Sequence, residues 1–155
     1  MKIIPAQIEH LDSLVKLNAE VQNLHIGFEP EIFKQPSHNE VVAMFEEFLM
    51  DEDRKTLICF EKNQLIGYIS LRIGGHEGHA LCFPQKWIYI DQIGVTAKFR
   101  RKGVGKKLIE AAQEIARQNQ INRLMLDVWN VNQNAKEFFK AQGFNSTIER
   151  MIMEI

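Results

Sequence analysis

The stretch KFRRKGVGKKLIEAA, Lys98 to Ala112, sets six cations and two glycines into a turn that then takes on helical spacing. Such a combination suits an anion. The first amides of a helix lack intrahelical acceptors and lie at the positive end of its dipole. Gly103 and Gly105 carry no Cβ, so a phosphate can approach the backbone and the turn can take unusual dihedrals. The residues alone leave two readings open: an anion cradle, or a solvated cationic face on a glycine turn. Two phosphate loops are excluded. A P-loop needs Gly at position 100 and Ser or Thr after Gly-Lys, where this chain has Arg100 and Lys107. The dinucleotide fingerprint needs a third glycine where Leu108 stands.

A second candidate lies just upstream, in KWIYIDQIGV. If no bulge intervenes before Ile93, strand alternation puts Trp87, Tyr89, Asp91, Ile93 and Val95 on one face, with Asp91 its only carboxylate. A carboxylate there can take a proton from an amine, directly or through water. The plainer alternative is an Asp that bonds a neighbouring amide or arginine. Gly94 suits a bulge, or equally a strand glycine that accommodates a neighbour. His76 and His79 in GGHEGHA read as loop residues, since zinc needs at least three protein ligands; no metal is expected. In LHIGFEPEIFKQP, Glu29, Glu31, Phe28 and Phe33 either border an acceptor pocket or form a solvated loop with two anchoring aromatics.

The elements that would hold these residues follow from periodicity. Ile8 to Leu24 has helical apolar spacing, Gly27 to Pro36 is a loop, and Asn39 to Met50 is a second helix. Two apolar runs around Lys62, Asn63 and Gln64 form a hairpin of Thr56 to Phe60 with Leu65 to Ile73. The strand ending at Val95 leads into a helix from Val104 to Asn119. RLMLDV is a further strand, and a short helix with Ala135, Phe138 and Phe139 inward stops at Gly143. The tail STIERMIMEI is expected to add one or two last strands, in its own sheet or in another chain's, which leaves a homodimer open. An α/β fold with a mixed sheet and helices against it follows.

The 155 residues, 45% hydrophobic and 25% charged, suit one domain spanning 1–155. No apolar stretch approaches the roughly 20 residues of a membrane span, and MKIIPAQIEHLDSL lacks the apolar run of a secretory signal. A cytoplasmic, non-membrane protein is expected. Cys59 and Cys82 have no metal or redox spacing and read as small apolar residues. The net charge is −1, so the cationic turn is local and suits a small polyanion rather than nucleic acid.

RRKGVG, Arg100 to Gly105, directly after a strand ending IGV, resembles the acetyl-CoA loop of the GNAT superfamily of N-acetyltransferases. That pattern is Arg or Gln, two variable residues, Gly, one variable residue, then Gly or Ala. NQNAKEFFKAQGF, Asn132 to Phe144, is similar to the family's second signature of Asn, Ala, an aromatic and a terminal Gly-Phe. The likeness runs from Thr56 to the C-terminus. It implies the GNAT fold, a central, mostly antiparallel mixed sheet flanked by helices, and direct acetyl transfer from acetyl-CoA to a primary amine of a small molecule or protein.

The resemblance further implies roles for particular residues. The amides of Arg101, Lys102, Gly103, Val104, Gly105 and Lys106 would bind the pyrophosphate, with Arg100 among the cations for a ribose phosphate. The amide of Ile93 would face the acetyl oxygen, Val95 would bond the pantetheine arm, and Asn132 and Phe139 would touch the cofactor. Asp91 stands where polyamine-type members carry an acidic residue, and members with Glu two positions earlier would put Tyr89 in that role. The family's usual tyrosine proton donor is replaced by Phe139, which has no hydroxyl; Tyr68 and Tyr89 are the substitutes to place. That replacement also supports a rival reading, a non-catalytic acyl-CoA-binding sensor. An RNA-binding module using the basic turn is a third, and no interleaved aromatics support it. The acceptor carries no motif.

Overall fold

The computed structural model describes residues 1–155. Five strands form one sheet in the order β1 (Lys2–Pro5), β2 (Arg54–Glu61), β3 (Gln64–His76), β4 (Gln85–Val95) and β5 (Leu124–Met125). The first four are antiparallel and β5 is parallel to β4, as expected of a mostly antiparallel mixed sheet. Helices α1 (Leu11–Phe28), α2 (His38–Met50), α3 (Val104–Gln118) and α4 (Gln133–Ala141) cover it.

Local chemistry explains the boundaries. Ser37 and Glu40 close a capping box at the start of α2: the Glu40 amide donates to Ser37 Oγ at 3.3 Å, and the Ser37 amide donates to Glu40 Oε2 at 2.7 Å. Lys62 and Asn63 take φ of 47° and 62°, the paired left-handed conformation of a tight hairpin between β2 and β3. The sheet buries both faces. Ile69, Leu71, Ile88 and Ile90 pack against Val104, Leu108 and Ala112 of α3 and Phe139 of α4. On the other face Ile58 and Tyr68 meet Leu14 and Leu17 of α1 and Phe45 of α2. Each large aliphatic side chain so buried contributes about 1.5–3 kcal/mol of transfer free energy.

KIIP, to which the sequence assigns no element, forms β1, paired with β2. Two expectations are corrected. RLMLDV is paired with β4 only at Leu124 and Met125. The tail after Phe144 joins no strand of its own sheet.

The correction that matters most for chemistry is a bulge. Ser70 pairs with Gln92 and Leu71 with Ile90, which leaves Asp91 as the extra residue of β4. The bulge resets the alternation. Gly94 now lies under α1, where Ile93 and Val95 pack on the α3 face. The shared face expected for Asp91, Ile93 and Val95 does not exist. Nor is Gly94 the bulge: it pairs with Tyr68, and a Cβ there would lie 2.7 Å from both Tyr68 and Val21. Close packing is its reason.

Candidate functional site

Beyond Tyr89 the edge of β4 that faces β5 is open, because the last paired positions are Ile88 with Leu124 and Tyr89 with Met125. The direction of its amides can be worked out. The Thr96 amide donates to the Ile66 carbonyl at 3.0 Å, which marks that pair as hydrogen-bonded in the antiparallel ladder. Alternation then turns Gln92 and Gly94 toward β3, and turns the N–H groups of Ile93 and Val95 outward into the opening. Arg100 confirms the direction for Val95, since its Nε donates to the outward Val95 carbonyl at 3.1 Å.

The chain leaves β4 through a turn, Ala97–Phe99, and enters α3 at Val104. Gly103, with φ of 81°, is the residue before the helix, and Arg101 also takes a left-handed φ of 61°. The first backbone bond of the helix runs from the Lys107 amide to the Gly103 carbonyl. No acceptor in the chain takes the amides of Arg101, Lys102, Gly103, Val104, Gly105 or Lys106. Nothing lies within 4 Å of a Cβ built on Gly103, so the cradle is open on that side.

The cations divide unequally. Lys106 lies 3.9 Å from Glu110 and Lys102 sits 5.0 Å from the Phe99 ring centroid. Lys98, Arg101 and Lys107 are exposed and make no ion pair. Gly105 has a different reason from the one read in the sequence. A Cβ there would lie 2.9 Å from the Phe138 ring, so the glycine lets α4 close on the first turn of α3. Val104 is buried, and Gly67 of β3 makes room for it: a Cβ on Gly67 would lie 2.9 Å from Val104 Cγ1.

Two polar assemblies hold this geometry, and neither has a sequence signature. The Glu20 carboxylate of α1 accepts from Thr96 Oγ1 at 2.9 and 3.2 Å and from the Ala97 amide at 2.9 Å. Asn18 Nδ2 donates to the Tyr68 hydroxyl at 2.9 Å, which itself donates to Gln92 Oε1 at 2.8 Å, just past the bulge. Tyr68 is fully buried, and burial pushes its phenol above the ordinary range. It cannot reach the opening.

Asp91 does not point free carboxylate oxygens at the opening. Its Oδ2 accepts from Arg54 Nη1 at 2.6 Å and its Oδ1 from Arg72 Nη2 at 3.4 Å, with Arg54 also bound to Asp51 at 3.2 Å. Arg54 in turn lies 4.1 Å over the Phe48 ring. The plainer alternative of the sequence reading describes this residue: an Asp engaged with arginines. Tyr89 is placed differently, at the last paired position before the opening. Burial, then a hydrogen bond to the Asp127 carboxylate, push its phenol up to about 12.

An aromatic cluster joins the loop between α1 and α2 to the stretch that follows β5. Phe33, in the loop between α1 and α2, stacks on His25 at 5.0 Å and meets Trp129 edge-on at 5.4 Å. His76 and His79 are engaged locally, their Nδ1 atoms accepting from the Gly78 and Leu81 amides at 3.1 and 3.2 Å. Two surface hollows of about 460 and 420 Å³ lie elsewhere, one along Ala6–Glu9 and the end of α2, one between α1 and the β2–β3 turn. The site is therefore defined by unpaired backbone rather than by either hollow.

Residues 18–144 match the acetyltransferase (GNAT) family model. The chain belongs to the GNAT acetyltransferase family. A streptothricin acetyltransferase A of Bacillus subtilis (strain 168) is 29% identical over 117 residues, which cover 76% of this chain and 61% of that relative. This chain thus spans about three-fifths of that relative's length. A mutant of the BH1408 protein from Bacillus halodurans shares the fold, with TM-score 0.95, 20% identity, and coverage of 100% of this chain and 99% of its own. So does an aminoglycoside N-acetyltransferase, AAC(6')-Iy, in complex with CoA, with TM-score 0.79, 23% identity and coverage of 99% and 93%.

The second GNAT signature is seen here at work in packing. Asn132 caps α4, its Oδ1 accepting from the Ala135 amide at 3.1 Å. Phe139, at the position where the family usually has tyrosine, is buried between Phe138 at 5.1 Å and Phe144 at 5.6 Å.

Proposed function

We propose that this chain is an acetyl-CoA-dependent N-acetyltransferase whose acceptor is a primary amine of a small molecule or protein. The observation that carries the reading is the run of unclaimed amides from Arg101 to Lys106, beside the outward amides of Ile93 and Val95. The donor set fits the cofactor. Six free N–H groups at a helix start suit a diphosphate, with Lys98, Arg101 and Lys107 as counter-charges. An open strand edge suits an amide-bearing arm laid along it.

Bound there, acetyl-CoA would supply a thioester: attack by a neutral amine nitrogen on its carbonyl carbon would break the C–S bond, the nitrogen's proton passing to water and the sulfur leaving as the thiol, to give an amide and free coenzyme A. The chain's own part is electrostatic and positional. The Ile93 N–H donates toward the carbonyl oxygen, where negative charge grows in the transition state. Tyr89 serves as proton donor to the departing sulfur in place of the hydroxyl that Phe139 lacks, its phenol held protonated across the neutral range. Asp91 is a positioning residue that fastens the bulge through Arg54 and Arg72.

The two relatives that name an acceptor, streptothricin and the aminoglycosides, put cationic antibiotics at the head of the acceptor panel. A cytosolic site of action is supported by two free cysteines and by the lack of any helix long and apolar enough to cross a membrane. The rival reading, a sensor that binds acyl-CoA without turnover, draws on Phe139 alone. Thiol release across an amine panel tests both. Acceptor-dependent release at several pH values supports transfer, and micromolar cofactor binding with no release on any amine supports the sensor.

A further inference from the structure

The bulge in β4 has more than one place to sit. Ile88 donates its amide to the Arg123 carbonyl at 2.9 Å, so before the bulge the even-numbered amides face β5. After it, those of Ile93 and Val95 face the opening instead. Slipped two residues toward Val95, the bulge would make Ile93 the extra residue, pair Gln92 with Ile69 and turn the Gln92 amide outward.

Asp91 does not forbid that slip. Arg54 pairs with Arg72, which shares a sheet face with Ser70. Opposite Ser70, the Asp91 carboxylate would still lie on the face of both guanidiniums.

Gln92 does forbid it. Its Oε1 accepts from the Tyr68 hydroxyl at 2.8 Å and from Asn18 Nδ2 at 3.1 Å, while Asn18 Nδ2 also donates to the Tyr68 oxygen at 2.9 Å. Side chains from α1, β3 and β4 thereby close a ring that uses both Asn18 amide protons and the phenol proton. Gln92 Nε2 is directed at Met44 Sδ of α2, 3.7 Å away. A reversed Gln92 amide would set its NH2 against that of Asn18, so hydrogen-bond chemistry fixes its orientation. Asn18 and Tyr68 are buried, and no buried side-chain nitrogen or oxygen lacks a partner. Slipping would carry the Gln92 side chain to the opposite face, among the apolar residues packed under α3. Its own amide and the groups left behind would lose their partners there, a costly outcome for buried polar atoms.

We propose that Asn18, Tyr68 and Gln92 are positioning residues that hold the bulge at Asp91 and so select the Ile93 N–H as the donor to the thioester carbonyl. The choice of register is a property of the free chain; its use in catalysis rests on the transferase reading above.

Amide hydrogen exchange, followed by NMR on the full chain without cofactor, reads the register directly. In the wild type Gln92 and Gly94 should be protected while Ile93 and Val95 exchange freely. Gln92→Leu removes the anchor and suits the α3 face. Protection at position 92 should then fall about tenfold or more relative to Gly94, which faces β3 in either register. Tyr68→Phe should move the same ratio less, because Asn18 still reaches Gln92. Thr56→Val, which removes the buried hydrogen bond between Thr56 and Ser70 at 3.1 Å, is the control, since simple destabilisation lowers both protections together.

The infrared carbonyl stretch of bound acetyl-CoA, carbon-13 labelled at that carbonyl, reads the consequence with no acceptor present. It should lie below the free value in the wild type and in Thr56→Val, and return most of the way to it in Gln92→Leu. Protections at 92 and 94 that fall in step or do not fall in Gln92→Leu, or a bound carbonyl that this variant leaves where it was, overturn the proposal. Acetyl-CoA that fails to bind the wild type ends the transferase reading instead, and the exchange ratio then decides the register alone.

Discussion

Glu20 of α1 and Thr96 at the end of β4 are joined by hydrogen bonds of 2.9 and 3.2 Å, with a third bond from the same carboxylate to the Ala97 amide at 2.9 Å. An acidic side chain far away in sequence thereby sets the direction in which the chain leaves β4 and approaches the amide cradle. Glu20→Gln keeps the shape but offers only one oxygen. Losing charge-assisted bonds of this kind costs about 1.5–3 kcal/mol, and part of that appears as a misaligned cradle. Coenzyme A affinity measured by calorimetry should fall about tenfold while the melting temperature drops by only a few degrees. Unchanged affinity would remove Glu20 from the site.

Gly105 and Phe138 form a coupled pair. Gly105→Ala places a methyl group 2.9 Å from the Phe138 ring, so α4 must shift. Overpacking of this order destabilises by about 1–3 kcal/mol, read by urea denaturation. Phe138→Leu in the same chain should recover much of the loss, since the two changes share one contact and cannot be additive. Additive effects would mean that the glycine serves something other than this contact.

Asp91→Asn separates a general base from a structural anchor. A general base contributes about 10²- to 10⁴-fold to the rate. An anchor for the half-buried Arg54 instead shows up in stability, where removing one partner of such a pair costs up to about 3 kcal/mol. The expected outcome is a clear fall in stability with kcat within about tenfold of wild type. A collapse of kcat in a well-folded variant would restore Asp91 to the chemistry.

Tyr89 carries a pH signature. Its phenol is pushed from an unfolded value of 10.0 to about 12 by burial and by Asp127. Below pH 10 both folded and unfolded states hold the proton, so the stabilisation is fully present. Between 10 and 12 the unfolded chain releases its proton first, and stability falls as pH rises. Denaturant midpoints compared at neutral pH and in that alkaline window should show a drop in wild type that Tyr89→Phe reduces. In turnover, Tyr89→Phe should lower kcat about tenfold with KM little changed, the size expected for protonating a thiolate that already leaves tolerably.

The helices, the β2–β3 hairpin and the glycine turn were legible because each rests on local chemistry: periodicity, paired left-handed turn residues, a residue before a helix with positive φ. The paired signatures made the fold legible too. What escaped was set by distant partners. The bulge at Asp91 exists only in the register of β4 against β3, and one inserted residue reversed the faces assigned to Ile93 and Val95. Arg54 and Asp91 are neighbours across strands, with no spacing to mark them. Glu20 reads as one more polar residue of an amphipathic helix. Gly105 carried the right residue type with an unforeseen neighbour, Phe138.

Phe33 lies between His25 and Trp129, so the segment linking the first two helices is buttoned to the stretch that follows β5. The amide cradle is built from a different part of the chain. On the proposed reading, with residues 29–37 bordering the acceptor, rewriting that segment should redirect which amine is chosen while coenzyme A affinity stays as it was.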